Sequence, residues 1–384
     1  MEIFSGVFFL FGLGWALVLG GLSLALTLVA ETNAGMTFAL GGILLSIAPL
    51  LIWYSWDSGY TGRKVLVRLA VFGGLGIFAW LGLRSPDGHP PTAGARVQNR
   101  YSGGEWKYQR YALGNLLPES DQLMLGYMVI PAADRLFTMK QGRHMTKMTS
   151  AIYRELEADP DFHALGSVMP DTYNDLWGLP FTQDHYFLYI PPKLDRKKPS
   201  PVLIFLHGAG GNFKAYTWIF SKVADELGMV LIVPSDGMGD WGPKRSARIV
   251  TSALADAAKV VELDPGNTHL MGLSNGGLGL CQVGAVLGEQ FRTLTFLSPV
   301  FDKPSVTSDA FLKKWQDNQV LVISGQKDDR VPFAYVSEQA ARLTKAEVIV
   351  TLVPVADADH FMVFSHRELV CSTITSWLRG KIAH

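Results

Sequence analysis

The sequence predicts an α/β fold, a mostly parallel sheet with helices on both faces, preceded by three transmembrane helices and a helical connecting segment. Two observations carry this. The first 83 residues of the 384 hold only six acidic or basic side chains, Glu2, Glu31, Asp57, Arg63, Lys64 and Arg68. From residue 183 onward, short β-branched runs alternate with helical stretches, the rhythm of strands joined by crossover helices. The expected layout is a membrane domain over 1–84, a linker over 85–104, a helical connecting segment over 105–182 and an α/β domain over 183–384.

Ile3 to Ala30 is uncharged. As a helix it would extend ~42 Å, more than the ~30 Å of a bilayer's hydrocarbon core. Thr32 to Trp56 is a second uncharged run, ending in Trp53, Tyr54 and Trp56, whose rings suit the membrane interface. Val65 to Leu83 is the third, with Arg68 near its start, where a long side chain can reach the headgroups. The chain opens Met-Glu-Ile without a basic region and two further spans follow, which argues against a cleaved signal peptide. Gly12, Gly14, Gly20, Gly21, Gly41, Gly42, Gly73, Gly74 and Gly76 permit close helix approach, within one bundle or in a homodimer. No ionisable group sits in mid-span, so nothing suggests a channel or proton relay. The concentrated Arg63, Lys64 and Arg68 place the second loop in the cytoplasm, and hence the large domain outside it.

Net charge is zero in the whole chain and in each part, which provides no basic face for nucleic acid. Cys281 and Cys371 have no CxxC or Cys/His cluster around them, so neither a metal site nor a disulfide framework is expected. Ser85 to Gly104 is rich in Pro, Gly and small polar residues, the composition of an exposed linker. In 105–182, Leu123, Val129, Ile130, Leu136 and Phe137, then Met145, Met148, Ile152, Tyr153 and Leu156, recur at helical spacing. That segment reads as an adaptor packed on the next domain or as a lid over its site.

The strand runs begin at residues 185, 201, 229, 268, 293, 320 and 348. In sheets of this kind chemistry gathers in loops at the carboxyl ends of strands. After the run at 268 comes Gly272-Leu273-Ser274-Asn275-Gly276, then a small-residue helix, which is G-x-S-x-G in its strand-turn-helix setting. Ser274 is therefore the candidate nucleophile. A serine hydroxyl needs a general base, and the base an orienting carboxylate. Asp328, after the run at 320, is chosen over its neighbour Asp329, with Asp302 a weaker substitute. His360, after the run at 348, is the candidate base; His366 reads as a surface group and Asp357 and Asp359 as solvated loop carboxylates. The order Ser274, Asp328, His360 is that of neither chymotrypsin nor subtilisin. The loop Leu206-His207-Gly208-Ala209-Gly210-Gly211-Asn212 can turn backbone amides toward an oxyanion; Ala209 and Asn275 are nominated, with Gly208 as alternative and His207 as an anchor for the loop. It lacks the spacings of a phosphate-binding loop. Phe213, Tyr216, Trp218, Met238 and Trp241 lie in or after strand-end loops and are candidates both for an acyl pocket and for the core.

With HYFLYIPPKL, PVLIFLHGAGGN, PSDGMGDW and GLSNGG in order, residues 185 to 380 resemble the α/β-hydrolase superfamily, most closely the polyhydroxybutyrate depolymerase, feruloyl esterase and carboxylesterase group. The resemblance implies a serine esterase using Ser274, Asp328 and His360 without metal or organic cofactor. The three spans, the long helical segment and the scarcity of cysteine depart from secreted members and argue against polymer substrates. The expectation is a multi-pass membrane enzyme cleaving small-molecule or lipid esters. Acyl transfer, peptide or amide cleavage, and a catalytically silent binding module are the alternatives.

Overall fold

A computed structural model describes residues 2–55, 61–88, 95–316 and 318–382. The chain forms two compact units, one of residues 1–86 and 109–151, the other of 87–108 and 152–384. Trp56 and the stretch 89–94 of the expected linker lie outside the described residues.

In the first unit, α1 (Glu2–Trp15) continues through a π-helical turn (Ala16–Gly20) into α2 (Gly21–Val29). Then come α3 (Asn33–Ser55) and α4 (Thr61–Arg84). Three helices, Phe4–Val29, Asn33–Ser55 and Thr61–Arg84, are long and apolar enough to cross a membrane, with mean hydropathies of 2.1, 2.0 and 1.9. Their outward residues are large and apolar; Leu17, Leu28, Phe72 and Leu83 are all exposed. The expected glycine contacts divide: Gly41 and Gly74 pack α3 on α4, whereas Gly14, Gly21 and Gly76 face open space. Short α5 (Leu113–Leu116), α6 (Glu119–Val129) and α7 (Met139–Glu157) follow the third apolar helix, the unit boundary falling inside α7. Asp121 of α6, fully buried, accepts from the Glu31 amide at 2.7 Å and from the Thr32 hydroxyl. An element after the third apolar helix thus holds the turn between the first two. Three successive bilayer crossings would put both on one side.

The second unit is an eight-stranded sheet in the order β1-β2-β4-β3-β5-β6-β7-β8. The strands are β1 (Val97–Tyr101), β2 (His185–Tyr189), β3 (Ser200–Leu206), β4 (Val230–Pro234), β5 (Leu263–Leu273), β6 (Thr293–Leu297), β7 (Gln319–Gly325) and β8 (Ile349–Val355). Among the described strands, β1–β2 and β2–β4 pair antiparallel and the rest pair parallel. This is the α/β-hydrolase fold. β1 corrects the reading of 85–104 as linker throughout. VQNRY is too polar to signal a strand, yet it pairs along the whole of β2 and is buried except for half-buried Arg100.

The side-chain period of two sorts the core. Tyr186, Leu188, Val202, Ile204, Val230 and Ile232 pack with Ile249 of α11 (Pro243–Ala257), Leu280 of α12 (Gly276–Val286) and Trp315 of α14 (Asp309–Trp315). On the opposite face Phe205 meets Tyr216 and Phe220 of α10 (Lys214–Leu227). α8 (Pro160–Ala164) and α9 (Met169–Leu176) precede β2, and α13 (Lys303–Val306) precedes α14. α15 (Phe333–Lys345), α16 (Met362–Ser365) and α17 (Arg367–Arg379) complete the unit. Cys281 and Cys371 are free thiols, the first buried and the second partly so.

Candidate active site

Ser274 sits in the turn from β5 into α12 with φ at +51°, a left-handed conformation that costs a non-glycine residue of order 1 kcal/mol. The surroundings hold it there. Its amide donates to the Leu297 carbonyl at 2.9 Å, and its own carbonyl accepts from the Gly277 and Val300 amides at 2.8 and 2.9 Å. At Gly276 an added Cβ would run into the Leu206 carbonyl of β3, so the helix can lie against that strand only with glycine there.

Two further strand ends converge on this turn. The Ser274 hydroxyl lies 3.0 Å from His360 Nε2, and His360 Nδ1 lies 2.8 Å from Asp328 Oδ2. The carboxylate accepts at Oδ2, so Nδ1 carries the proton and Nε2 is left as the acceptor for the serine proton. The Asp328 side chain is fully buried, and its other oxygen accepts from the Arg330 and Val331 amides at 3.0 and 2.8 Å. The rival carboxylates stand elsewhere. Asp329 is exposed, Asp302 accepts from Ser305, Asp357 pairs with Lys327, and Asp359 accepts from the Phe361 amide. His366 meets the neighbouring Ser365 hydroxyl.

The glycine loop after β3 lies over the turn. A Cβ on Gly208 would stand 3.3 Å from that of Ser274. His207 anchors the loop as expected: its Nδ1 donates to the Gly208 carbonyl at 2.8 Å and its Nε2 accepts from the Asp236 amide at 3.0 Å. Burial pushes its pKa down to about 4, so the ring is neutral and keeps this donor-acceptor sense. Gly211 adopts φ +113°, open only to glycine, and the Gly210 amide donates to Met238 at 3.0 Å. Ala209 is exposed and Asn275 half-buried beside Ser274.

A buried polar chain ties the loop's far end to the sheet, and sequence reasoning missed it. Asn212 donates to the Ser235 hydroxyl at 2.9 Å, Ser235 to His185 Nδ1 at 2.6 Å, and His185 Nε2 to Asn99 Oδ1 at 2.9 Å. Asn99 in turn donates to the Leu165 carbonyl at 2.8 Å. His185 is pushed down to about 3 by its burial, which keeps it neutral. From the other side α9 braces the same region: Thr172 donates to the Gly237 carbonyl at 3.2 Å, and Asp175 accepts from the Met238 amide at 2.7 Å. Of the expected connecting segment, this part stands at the site.

The five aromatic and methionine candidates separate. Trp241 is fully buried in the core, its indole donating to the His207 carbonyl at 2.8 Å, which removes it from a pocket wall. Tyr216 is core as well, between Phe205 and Phe364. Trp218 packs edge-on to Phe162 at 4.9 Å and under the Lys222 ammonium. Phe213 and Met238, both half-buried, adjoin Gly210 and stay at the glycine loop.

No protein-family model matches the sequence, and a search of curated proteins finds no match. Solved structures do match. Est1E from Butyrivibrio proteoclasticus is 18% identical over 52% of this chain and 95% of its own, with a TM-score of 0.42. An S-formylglutathione hydrolase from Agrobacterium tumefaciens is 16% identical over 52% and 90%, TM-score 0.42. The fluorophosphonate-binding serine hydrolase F of Staphylococcus aureus is 16% identical over 52% and 92%, TM-score 0.43.

Proposed function

We propose that this chain is a membrane-anchored serine hydrolase that cleaves carboxylic esters through an acyl-enzyme. One observation carries the reading: the unbroken hydrogen-bonded line from Ser274 through His360 to buried Asp328 at three strand ends. As the Ser274 Oγ attacks the ester carbonyl, its proton passes to His360 Nε2, and Asp328 stabilises the imidazolium through Nδ1–H. The carbonyl oxygen becomes an oxyanion held by the Ala209 and Asn275 amides. Collapse expels the alkoxide, which takes the proton from Nε2 and leaves as the alcohol. Water, deprotonated by the same nitrogen, then attacks the acyl-enzyme, and breakdown of the second intermediate releases the acid and restores the serine hydroxyl. The three long apolar helices support the anchor.

The test is hydrolysis of p-nitrophenyl esters from acetate to palmitate by the detergent-solubilised protein and its Ser274→Ala variant. Turnover by the wild type, reduced at least ~10³-fold in the variant, is expected. The chain-length optimum then measures the pocket. A folded wild type that acts on no ester and does not react with a fluorophosphonate would return the catalytically silent module.

A further inference from the structure

The first unit carries a cationic face that the reaction does not use. α7 exposes Lys140, Arg143, His144 and Lys147 at a spacing that places them along one side of the helix, while Met145 and Thr149 turn inward. No acidic residue occurs between Met139 and Ala151. Cations in the opening turns of a helix sit at the positive end of its dipole, where they weaken it locally, and an anion held against them would offset that cost. Just before them the α6–α7 turn exposes Val129, Ile130, Leu136 and Met139 beside Arg135.

Elements of the same unit tie α7 to the long apolar helices through α6. Leu117 and Leu125, flanking Asp121, pack with Leu26 of α2 and Ala39 and Phe38 of α3. α7 is clamped onto α6 by the contact of the Tyr127 and Thr149 hydroxyls at 3.1 Å and by Phe137 against Tyr127. One helix, α6, thus stands between α7 and the apolar helices α2 and α3.

We propose that the basic stripe of α7 and the apolar turn before it dock on a bilayer surface carrying anionic lipid headgroups. Lys140, Arg143 and Lys147 meet the phosphates, and Ile130, Leu136 and Met139 enter the boundary below them. The complementarity is of charge: a cationic stripe with no acidic residue on its own stretch of helix, next to apolar side chains, in the unit that also holds the three long apolar helices. This rests on the anchor part of the proposed function.

The experiment uses the full chain in a Cys371→Ser background, with an environment-sensitive dye at Leu136→Cys or, as control, at exposed Leu17→Cys on the first apolar helix. Each is reconstituted in vesicles of phosphatidylcholine alone or with one-third phosphatidylglycerol, containing brominated lipid as quencher. Quenching at position 136 should be at least about threefold greater in the anionic vesicles. It should fall to the neutral-vesicle level in ~1 M salt, and likewise in the Lys140→Glu, Arg143→Glu, Lys147→Glu triple variant. Equal quenching in both vesicle types, or a signal indifferent to salt, overturns the inference. Quenching at 17 without quenching at 136 overturns it while leaving the anchor; quenching at neither position sinks the anchor and the inference together.

Discussion

The two units solve the same packing problem in different ways. In the first, Gly41 lets α3 approach α4 so closely that a Cβ there would stand 2.8 Å from an Ile77 methyl. In the second, Gly276 faces the backbone carbonyl of Leu206 in a central strand. A side chain can shift; a carbonyl locked in a sheet cannot. The α/β unit is thus the brittle one, and the brittleness is concentrated where three strand ends must hold a serine, a histidine and a carboxylate in line. In the helical unit Gly142 likewise meets the Tyr127 backbone carbonyl, but the apolar helices are held largely by replaceable side-chain contacts, with their large apolar residues outward where hydrocarbon would cover them.

The largest effect that follows is on folding. Gly276→Ala should cost more than ~3 kcal/mol, because the inserted methyl meets backbone. Gly41→Ala should cost about 1–2 kcal/mol, because Ile77 and Phe78 can give way. Urea unfolding of each variant in detergent, read by near-ultraviolet circular dichroism, measures both. Equal losses would erase the contrast between the units.

Acid should also separate them. His185 is pushed down to about 3, and His207 and His269 to about 4, all by burial. Between those values and the ordinary ~6.5 the unfolded chain binds protons that the folded chain refuses, so stability present above pH ~6.5 is lost as pH falls. Asp171 works the other way: burial raises it to about 6, so between ~3.9 and 6 the folded chain holds a proton the unfolded one releases. It offsets one of the three histidines, and Asp236, also raised by burial, acts in the same sense, so the histidines still outnumber the opposing carboxylates. Each uncompensated proton changes stability by about 1.4 kcal/mol per pH unit. Among the described residues the first unit has no buried histidine. Tertiary structure of the α/β unit should therefore weaken from pH 7 to 5 while the apolar helices keep their far-ultraviolet signal; a midpoint independent of pH would mean that the histidines are not held neutral.

Much of the second unit was legible because its signals are local. Seven strand runs, the G-x-S-x-G turn and the Ser274, Asp328, His360 order follow from neighbouring residues, and the expected hydrogen-bonded line closes at 3.0 and 2.8 Å. What escaped is non-local. β1 is polar because Asn99 serves His185, 86 residues away in sequence, and the tie from His185 through Ser235 to Asn212 exists only once four segments meet. Trp241 shows the same limit from the other side: it follows a strand-end loop, as a pocket residue would, but its partner is the His207 carbonyl beneath that loop.

The smallest effect tests whether the brittle unit stores strain at its candidate nucleophile. At φ +51° Ser274 occupies a region that costs an L-residue ~1–2 kcal/mol. Ser274→Ala keeps that cost and loses the hydroxyl contact with His360; Ser274→Gly loses the same contact and is freed of the strain. Glycine gives back ~0.4–1 kcal/mol through the freedom of its unfolded chain. The glycine variant should therefore be more stable than the alanine variant by about 0.5–1 kcal/mol, a rise of ~1–4 °C in Tm for a unit this size, with both variants inactive. Differential scanning calorimetry of the pair reads this directly, since the lost hydroxyl cancels between them. Were the two to unfold together, the turn would hold Ser274 without strain, and the hydrogen bonds from Gly277, Val300 and to Leu297 would be sufficient to present it.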